Sequence, residues 1–281
     1  LKHIVSQEWL FEHGTDEHII IADCRFVLGD PDAGQARYDE DHIPGAVYFD
    51  LEKHLSAPKQ EHGGRHPLPD LKTLSKRLGE AGISKDSTVI AYDDQGGAMA
   101  SRFWWLLKFL GHDNVYVLDG GYTKWKEAGY PVTEEPAAPH AAQFEPHPRP
   151  HMSVSAEDVK RRLGQPGTVL IDSREEKRFL GVEETIDKKA GHIPGARHYF
   201  WKDVLTSQGN WKTAEELQAH FAGLPRNEEI IVYCGSGVTA CPNVLALSEA
   251  GFTNVKLYAG SWSDWISYPD NPIATGGRVN S

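Results

Sequence analysis

Ile230-Ile-Val-Tyr-Cys-Gly-Ser-Gly-Val-Thr-Ala-Cys-Pro242 carries an apolar, largely β-branched run into a turn with two glycines and out again at a proline. The run reads as a buried strand. Proline is accepted in the first turn of a helix, so a helix starts near Pro242. Strand, glycine loop and helix in that order let the amides of Gly235, Ser236, Gly237, Val238 and Thr239 converge on one point, at which the helix aims its positive end. Cys234 stands at the strand end beside that point. A free thiol ionises near a pH of about 8.5, and such a location favours the thiolate. A buried structural cysteine is the plain alternative. The glycines on both sides of Ser236 favour an anion cradle, because they permit close backbone approach. Cys234 is the candidate nucleophile.

Outward from this stretch, the chain repeats itself. Ile21-Ala-Asp-Cys-Arg25 recurs as Leu170-Ile-Asp-Ser-Arg174, and His42-Ile-Pro-Gly-Ala46 as His192-Ile-Pro-Gly-Ala196. Val89-Ile-Ala-Tyr-Asp93 answers to Ile230-Ile-Val-Tyr-Cys234, and Trp125 to Trp265. The period, 140 to 150 residues, is too long for a solenoid and means two homologous domains. The reading divides the chain into domains 1–135 and 153–281, with a proline-rich, extended connector over 136–152. Short strands (Ile19–Ala22, Val89–Tyr92, Val115–Leu118) alternate with helical stretches (Leu71–Ala81, Ala100–Leu110, Ala214–Ala222, Asn243–Ala250). The predicted fold class is therefore α/β: two tandem domains, each a mostly parallel sheet covered by helices on both faces. Ligands collect at the carboxyl ends of strands in such sheets, which is where Cys234 lies. The first domain has Asp93 at the cysteine position, and a carboxylate cannot carry out thiol chemistry. A site at the domain interface is expected, with the Cys234 loop facing first-domain residues around His66.

Composition narrows the function. A hydrophobic content of 40% with 25% charged residues is globular. The net charge of −11 argues against nucleic acid or an anionic membrane as partner. No stretch has the length of a membrane span and no signal-peptide pattern opens the sequence, so the cytoplasm is the expected location. Three cysteines without paired spacing suggest neither a disulfide framework nor a metal site. No cofactor is called for, and a monomer is expected. Cys24 lies in an apolar strand and reads as packing. Cys241 reads as a small buried residue, with resolution of an oxidised Cys234 as its alternative role. His42 and His192 sit in the duplicated turn, including the copy without a nucleophile, and read as structural.

Taken together, the two Asp-x-Arg strands, the two His-Ile-Pro-Gly-Ala segments and the single Cys-Gly-Ser-Gly-Val-Thr loop resemble the two-domain rhodanese-like sulfurtransferases. The resemblance covers nearly the whole chain. It implies that Cys234 takes a sulfane sulfur from a small anionic donor, holds it as a persulfide and passes it to a thiophilic acceptor: cyanide, or a thiol such as thioredoxin or glutathione. The uncharged loop is similar to that of the 3-mercaptopyruvate subfamily; a thiosulfate:cyanide transferase is the alternative. By the same resemblance Arg178 holds the donor carboxylate, for which a guanidinium is suited. Thr185 stands where a second arginine is usual, and Lys188 or Lys189 is the expected substitute. Ser236, His66 and Glu52, with Asp50 nearby, match a proton relay. Two rivals fit less well. A phosphatase of related fold needs an arginine at position 240, which is Ala240, and a non-catalytic binding module would not need Cys234.

Overall fold

Runs of isoleucine and valine too short to be helices build two all-parallel sheets. The computed structural model describes residues 1–277, and the chain forms two compact units. The first comprises Leu1–Ala57, Leu68–Arg149 and Ser207–Trp211; the second comprises Pro58–Pro67, Pro150–Thr206 and the chain from Lys212.

The first unit contains strands β1 (Ile4–Val5), β2 (Ile19–Asp23), β3 (Val47–Tyr48), β4 (Thr88–Tyr92) and β5 (Val115–Leu118) in the order β1-β5-β4-β2-β3. Helices α1 (Gln7–His13), α2 (Ala33–Glu40), α3 (Leu71–Glu80), α4 (Ala98–Phe109) and α5 (Gly121–Glu127) flank the sheet. Its core includes Leu10, Ile21, Ile43, Ile90, Tyr92 and Trp125. The second unit has β6 (Thr168–Asp172), β7 (Arg197–His198), β8 (Glu229–Tyr233) and β9 (Val255–Leu257) in the order β7-β6-β8-β9. Helices α6 (Ala156–Arg162), α7 (Glu176–Leu180), α8 (Ala214–His220), α9 (Cys241–Glu249) and α10 (Ser261–Trp265) accompany it, around Val159, Ile193, Ile231, Tyr233, Trp262 and Trp265. The predicted α/β class is the observed one.

The internal repeat is a repeat of register. Asp23 pairs with Tyr92 across β2 and β4, and Asp172 pairs with Tyr233 across β6 and β8. Each aspartate grips the arginine two residues on, at 2.7 Å in both units, and all four side chains are buried. A buried carboxylate requires such a partner. Arg174 also donates to the Gly191 carbonyl at 2.6 Å, which ties the strand end to the His192 turn. His42 and His192 bind backbone carbonyls, those of Tyr38 and Glu135 and that of Phe179, as their duplicated positions suggest.

Ser207–Trp211 apart, the grouping differs from a simple cut at the connector in two places. Residues 136–149 run irregularly but are fastened to the first unit: Ala142, His147 and Arg149 donate their amides to the carbonyls of Gly79, Leu110 and Phe109, each at 2.8 Å. Residues 58–67, which precede α3 in sequence, belong to the second unit. That second departure builds the site.

Candidate active site

Cys234 is the first residue after β8 and is buried. The Gly237 amide donates to its Sγ at 3.1 Å, so the thiol sits inside the loop. Its own amide donates to Ser261 Oγ at 3.1 Å. The loop then enters α9, whose first turn holds Pro242. Gly237 has φ +81°, and a Cβ there would strike the Ala259 carbonyl oxygen, so the turn requires glycine.

The first unit displays what this loop is shaped for. There Asp93 turns its own carboxylate into the cradle: Oδ1 accepts the amides of Gln95 and Gly97 at 2.8 and 2.9 Å, and Oδ2 those of Met99 and Ala100 at 2.8 Å each. Burial pushes that carboxyl's pKa up against the pull of the amides. In the second unit the helix starts two residues later: the Gly237 amide turns to the strand-end side chain, and the Cys241 amide closes the turn on the Val238 carbonyl at 3.0 Å. There the strand-end residue is a thiol rather than a carboxylate.

Ser236 and His66 are brought together within the second unit. Both are buried, and His66 Nδ1 lies 2.8 Å from Ser236 Oγ. The segment carrying His66 is latched to α10 and the turn after it: Gly63 donates to Asp264 Oδ1 at 2.7 Å, Arg65 donates its amide to Ser263 Oγ at 3.1 Å, and His62 stacks on Tyr268. Glu52 belongs to the first unit, where it is exposed after β3 and its amide donates to Asp50 Oδ1 at 2.8 Å.

Arg178 stands inside a chain of alternating charges that runs from Asp172 to Arg65. Asp172 holds Arg174, whose Nη1 lies 3.5 Å from Glu184; Arg178 Nε reaches both Glu184 oxygens at 3.2 and 3.1 Å, and its Nη2 donates to Asp187 Oδ2 at 2.9 Å. Asp187 Oδ1 accepts in turn from Arg65 Nη1. The amides of Ile186 and Asp187 donate to Glu184, each at 2.9 Å, and with Arg178 they outweigh burial and hold its carboxyl below the ordinary carboxylate range. The two guanidiniums meet over Gly235. A Cβ at that residue would lie 2.8 Å from Arg65 Nη2 and 3.4 Å from Arg178 Nη2. The loop has no cation of its own, yet two cations cover its first glycine.

Val238 is buried and Thr239 half-buried in the turn. Lys188 is exposed and lines, with Lys59, Lys189, Arg65 and Asp187, a groove of about 450 Å³ on the second unit. Thr185 and Lys189 are exposed. Cys241 is buried at the start of α9, its Sγ donating to the Gly237 carbonyl at 3.4 Å. Cys24 is buried, and burial raises its pKa. Sequence reasoning missed Arg65 and Ser261. Tandem glycines before Arg65 were the available signal for a tight turn pressed against a neighbour. Among the described residues no cluster of His, Cys, Asp or Glu is arranged to hold a metal ion, and no helix is long and apolar enough to cross a membrane.

Residues 6–128 and 155–268 each match the family described as Rhodanese-like domain. The chain is 46% identical over 278 residues to the Pseudomonas aeruginosa protein named "Probable 3-mercaptopyruvate sulfurtransferase", covering 97% of this chain and 98% of that one. It is 34% identical to the thiosulfate sulfurtransferase of Mus musculus, covering 98% and 96%. Among solved structures, that of an Escherichia coli protein described under the rhodanese fold of 3-mercaptopyruvate sulfotransferases matches with a TM-score of 0.83 at 35% identity, covering 94% of this chain and all of that one.

Proposed function

The chain belongs to the two-domain rhodanese-like sulfurtransferases and moves a sulfane sulfur through a cysteine intermediate; on that premise we propose that Cys234 is the sulfur carrier and 3-mercaptopyruvate the preferred donor. The observation that carries the assignment is the position of Cys234 Sγ, bound by the Gly237 amide at the end of β8, in the loop whose counterpart holds a carboxylate on four amides.

The Cys234 thiolate attacks the sulfur of the donor. The new S–S bond forms as the donor's C–S bond breaks, and the bonding pair passes to the three-carbon fragment as an enolate. The thiol proton moves to that fragment, giving pyruvate, and Ser236 with His66 is the pair placed to carry it. The amides of the loop from Ser236 to Ala240 suit the charge on the outer sulfur of the persulfide. A thiolate or cyanide then attacks that sulfur, the S–S bond breaks, and the Cys234 thiolate is restored. Arg178, fixed by Glu184, holds the donor's carboxylate. Gly235 leaves room for it, and Val238 and Thr239 line the turn beyond.

Thiosulfate is the second reading, favoured by the guanidiniums over Gly235, which suit a dianion. Glu184 and Asp187 balance those two charges, so the site has no excess of cation to spend on the second negative charge. Comparing kcat/KM for the two donors decides between them, with mercaptopyruvate expected to be the better. Cys234→Ser should abolish transfer and the gain of one sulfur seen by intact mass after donor treatment, because an oxygen nucleophile forms no persulfide. Transfer that persisted in Cys234→Ser would end the assignment.

A further inference from the structure

We propose that the groove lined by Lys59, Lys188 and Lys189 is the acceptor subsite, and that it selects a small peptide thiol carrying two carboxylates. The inference deepens the reading above and rests on it.

The groove is joined to the nucleophile through α10. Trp262 donates its amide to the Cys234 carbonyl and its indole Nε1–H to the Lys189 carbonyl, both at 2.9 Å. The next residue, Ser263, donates its amide to the Gly235 carbonyl at 2.9 Å and lines the groove. Lys188 and Lys189 are thus tied to the helix that holds the strand end, and Lys59 comes from the segment latched to the same helix. Cys234 itself is 1% exposed. A thiol that takes the outer sulfur must enter by its reactive end, so the rest of the molecule stays outside the loop. The groups that recognise an acceptor belong along this approach.

Charge decides what kind of acceptor fits. The chain carries a net charge of −11, yet here Lys59, Lys188 and Lys189 are exposed and have no ion-pair partner among the described residues. Arg65 and Asp187, also on the wall, neutralise each other and leave Glu61 as its other carboxylate. Charges in physiological salt act over about 8 Å, so a ligand in the groove meets these groups rather than the net charge of the chain. A peptide thiol with two carboxylates and one ammonium is their complement, carboxylates against the lysines and ammonium against Glu61. The groove volume of about 450 Å³ lies within the range of small-molecule sites, roughly 300–1,000 Å³. Lysine offers a point charge on a flexible stem, which holds a carboxylate without a fixed fork and lets the product leave. The same cations favour the acceptor's thiolate over its thiol.

The acceptor thiol gives its proton to water, and its thiolate attacks the outer sulfur of the persulfide. The new S–S bond forms as the bond to Cys234 breaks, the bonding pair returns to the Cys234 sulfur, and the acceptor leaves as its own persulfide. A thiol without carboxylates gains nothing from the groove.

The test compares glutathione, which has two carboxylates and one ammonium, with the neutral 2-mercaptoethanol, on protein supplied with mercaptopyruvate or thiosulfate. Lys59→Gln, Lys188→Gln and Lys189→Gln together should raise KM for glutathione about fivefold to tenfold. The kcat/KM for 2-mercaptoethanol should stay at the unmodified value, which also reports an intact fold. Added salt should raise the glutathione KM of the unmodified protein and not that of the variant. Arginine at all three positions keeps the charges and should keep most of the affinity. An unchanged glutathione KM, or equal losses with both thiols, would overturn the subsite. A rise in the donor KM alone would give the lysines to the donor and overturn it as well. Loss of transfer to reduced thioredoxin with glutathione unaffected would make the groove a protein-docking surface instead. Sulfur gain is read separately by intact mass. An unmodified protein that gained no sulfur from either donor would end the Cys234 assignment, whereas one that is loaded but whose variant treats the two thiols alike would end the subsite alone.

Discussion

Ser261 is the non-glycine residue with positive φ among those described, at +57°, and its counterpart in the first half is Gly121 at +60°. A side chain in that conformation costs roughly 1–3 kcal/mol. The serine is retained where the duplicated copy uses glycine, and its hydroxyl is what differs: it donates to the Tyr258 carbonyl at 2.8 Å and accepts the Cys234 amide at 3.1 Å. The strain fixes the backbone of the nucleophile. Ser261→Gly removes strain and hydrogen bond together, so its stability should stay within about 1 kcal/mol of the parent, while kcat falls about tenfold as the Cys234 amide loses its acceptor. Ser261→Ala keeps the strain and loses the bond, and should be the less stable of the two. Thermal unfolding and steady-state rates on both variants check this. Full activity in Ser261→Gly would make the residue a feature of the fold only. Cys234 and Asp93 were legible in the sequence because each stands at the end of a recognisable strand. Ser261 was not, since its role depends on a backbone angle and a partner 27 residues away.

At the scale of elements, strands and helices were readable because hydrophobic period and glycine punctuation are local. The sequence marked α3 and α4 to within two residues at either end. The segment 58–67 was opaque for the opposite reason. It has no periodicity, and its partners Asp187, Ser263 and Asp264 lie 122, 198 and 201 residues along the chain. His66 was found through resemblance; Arg65, next to it, was not. The latch turns on Gly64, whose φ is +82° and where a Cβ would meet the Gly260 carbonyl oxygen and lie 2.9 Å from Ser263 Oγ. Neither backbone oxygen nor helix start can yield cheaply. Gly64→Ala should therefore lift the segment off α10 and withdraw Arg65 and His66 together, lowering kcat/KM by more than about tenfold. Half of the segment is exposed and it adds no residue to the hydrophobic core, so the unfolding midpoint should move by only a few degrees. A variant with intact transfer would show that these residues hold their positions without the latch.

Over the whole molecule, both units carry histidines whose pKa lies below the ordinary 6.5: His54 and His112 in the first, His192 and His220 in the second. Burial is the leading cause in each. For His54 the nearby Arg77 adds to it, and the value falls to about 4. The Asp50 amide donates to His54 Nδ1 at 2.9 Å, a bond that a protonated ring cannot accept. Below pH 6.5 the unfolded chain takes up protons that the folded chain refuses, so stability falls as pH falls. The contribution of these groups is complete above 6.5 and, for His54, is lost between 6.5 and about 4. Asp172 does not blur this window. Burial pushes its carboxyl up, but the Arg174 guanidinium outweighs it and leaves the pKa below 3.8, so that stabilising term disappears only at lower pH. Denaturant unfolding between pH 8 and pH 4 should show a midpoint that declines from about 6.5 downward. His54→Asn keeps an acceptor near the Nδ1 position and cannot be protonated, so it should leave the midpoint at pH 8 nearly unchanged and flatten the decline. An identical slope in His54→Asn would mean that His54 takes its proton as readily in the folded chain as in the unfolded one, and that the Asp50 amide does not hold it neutral.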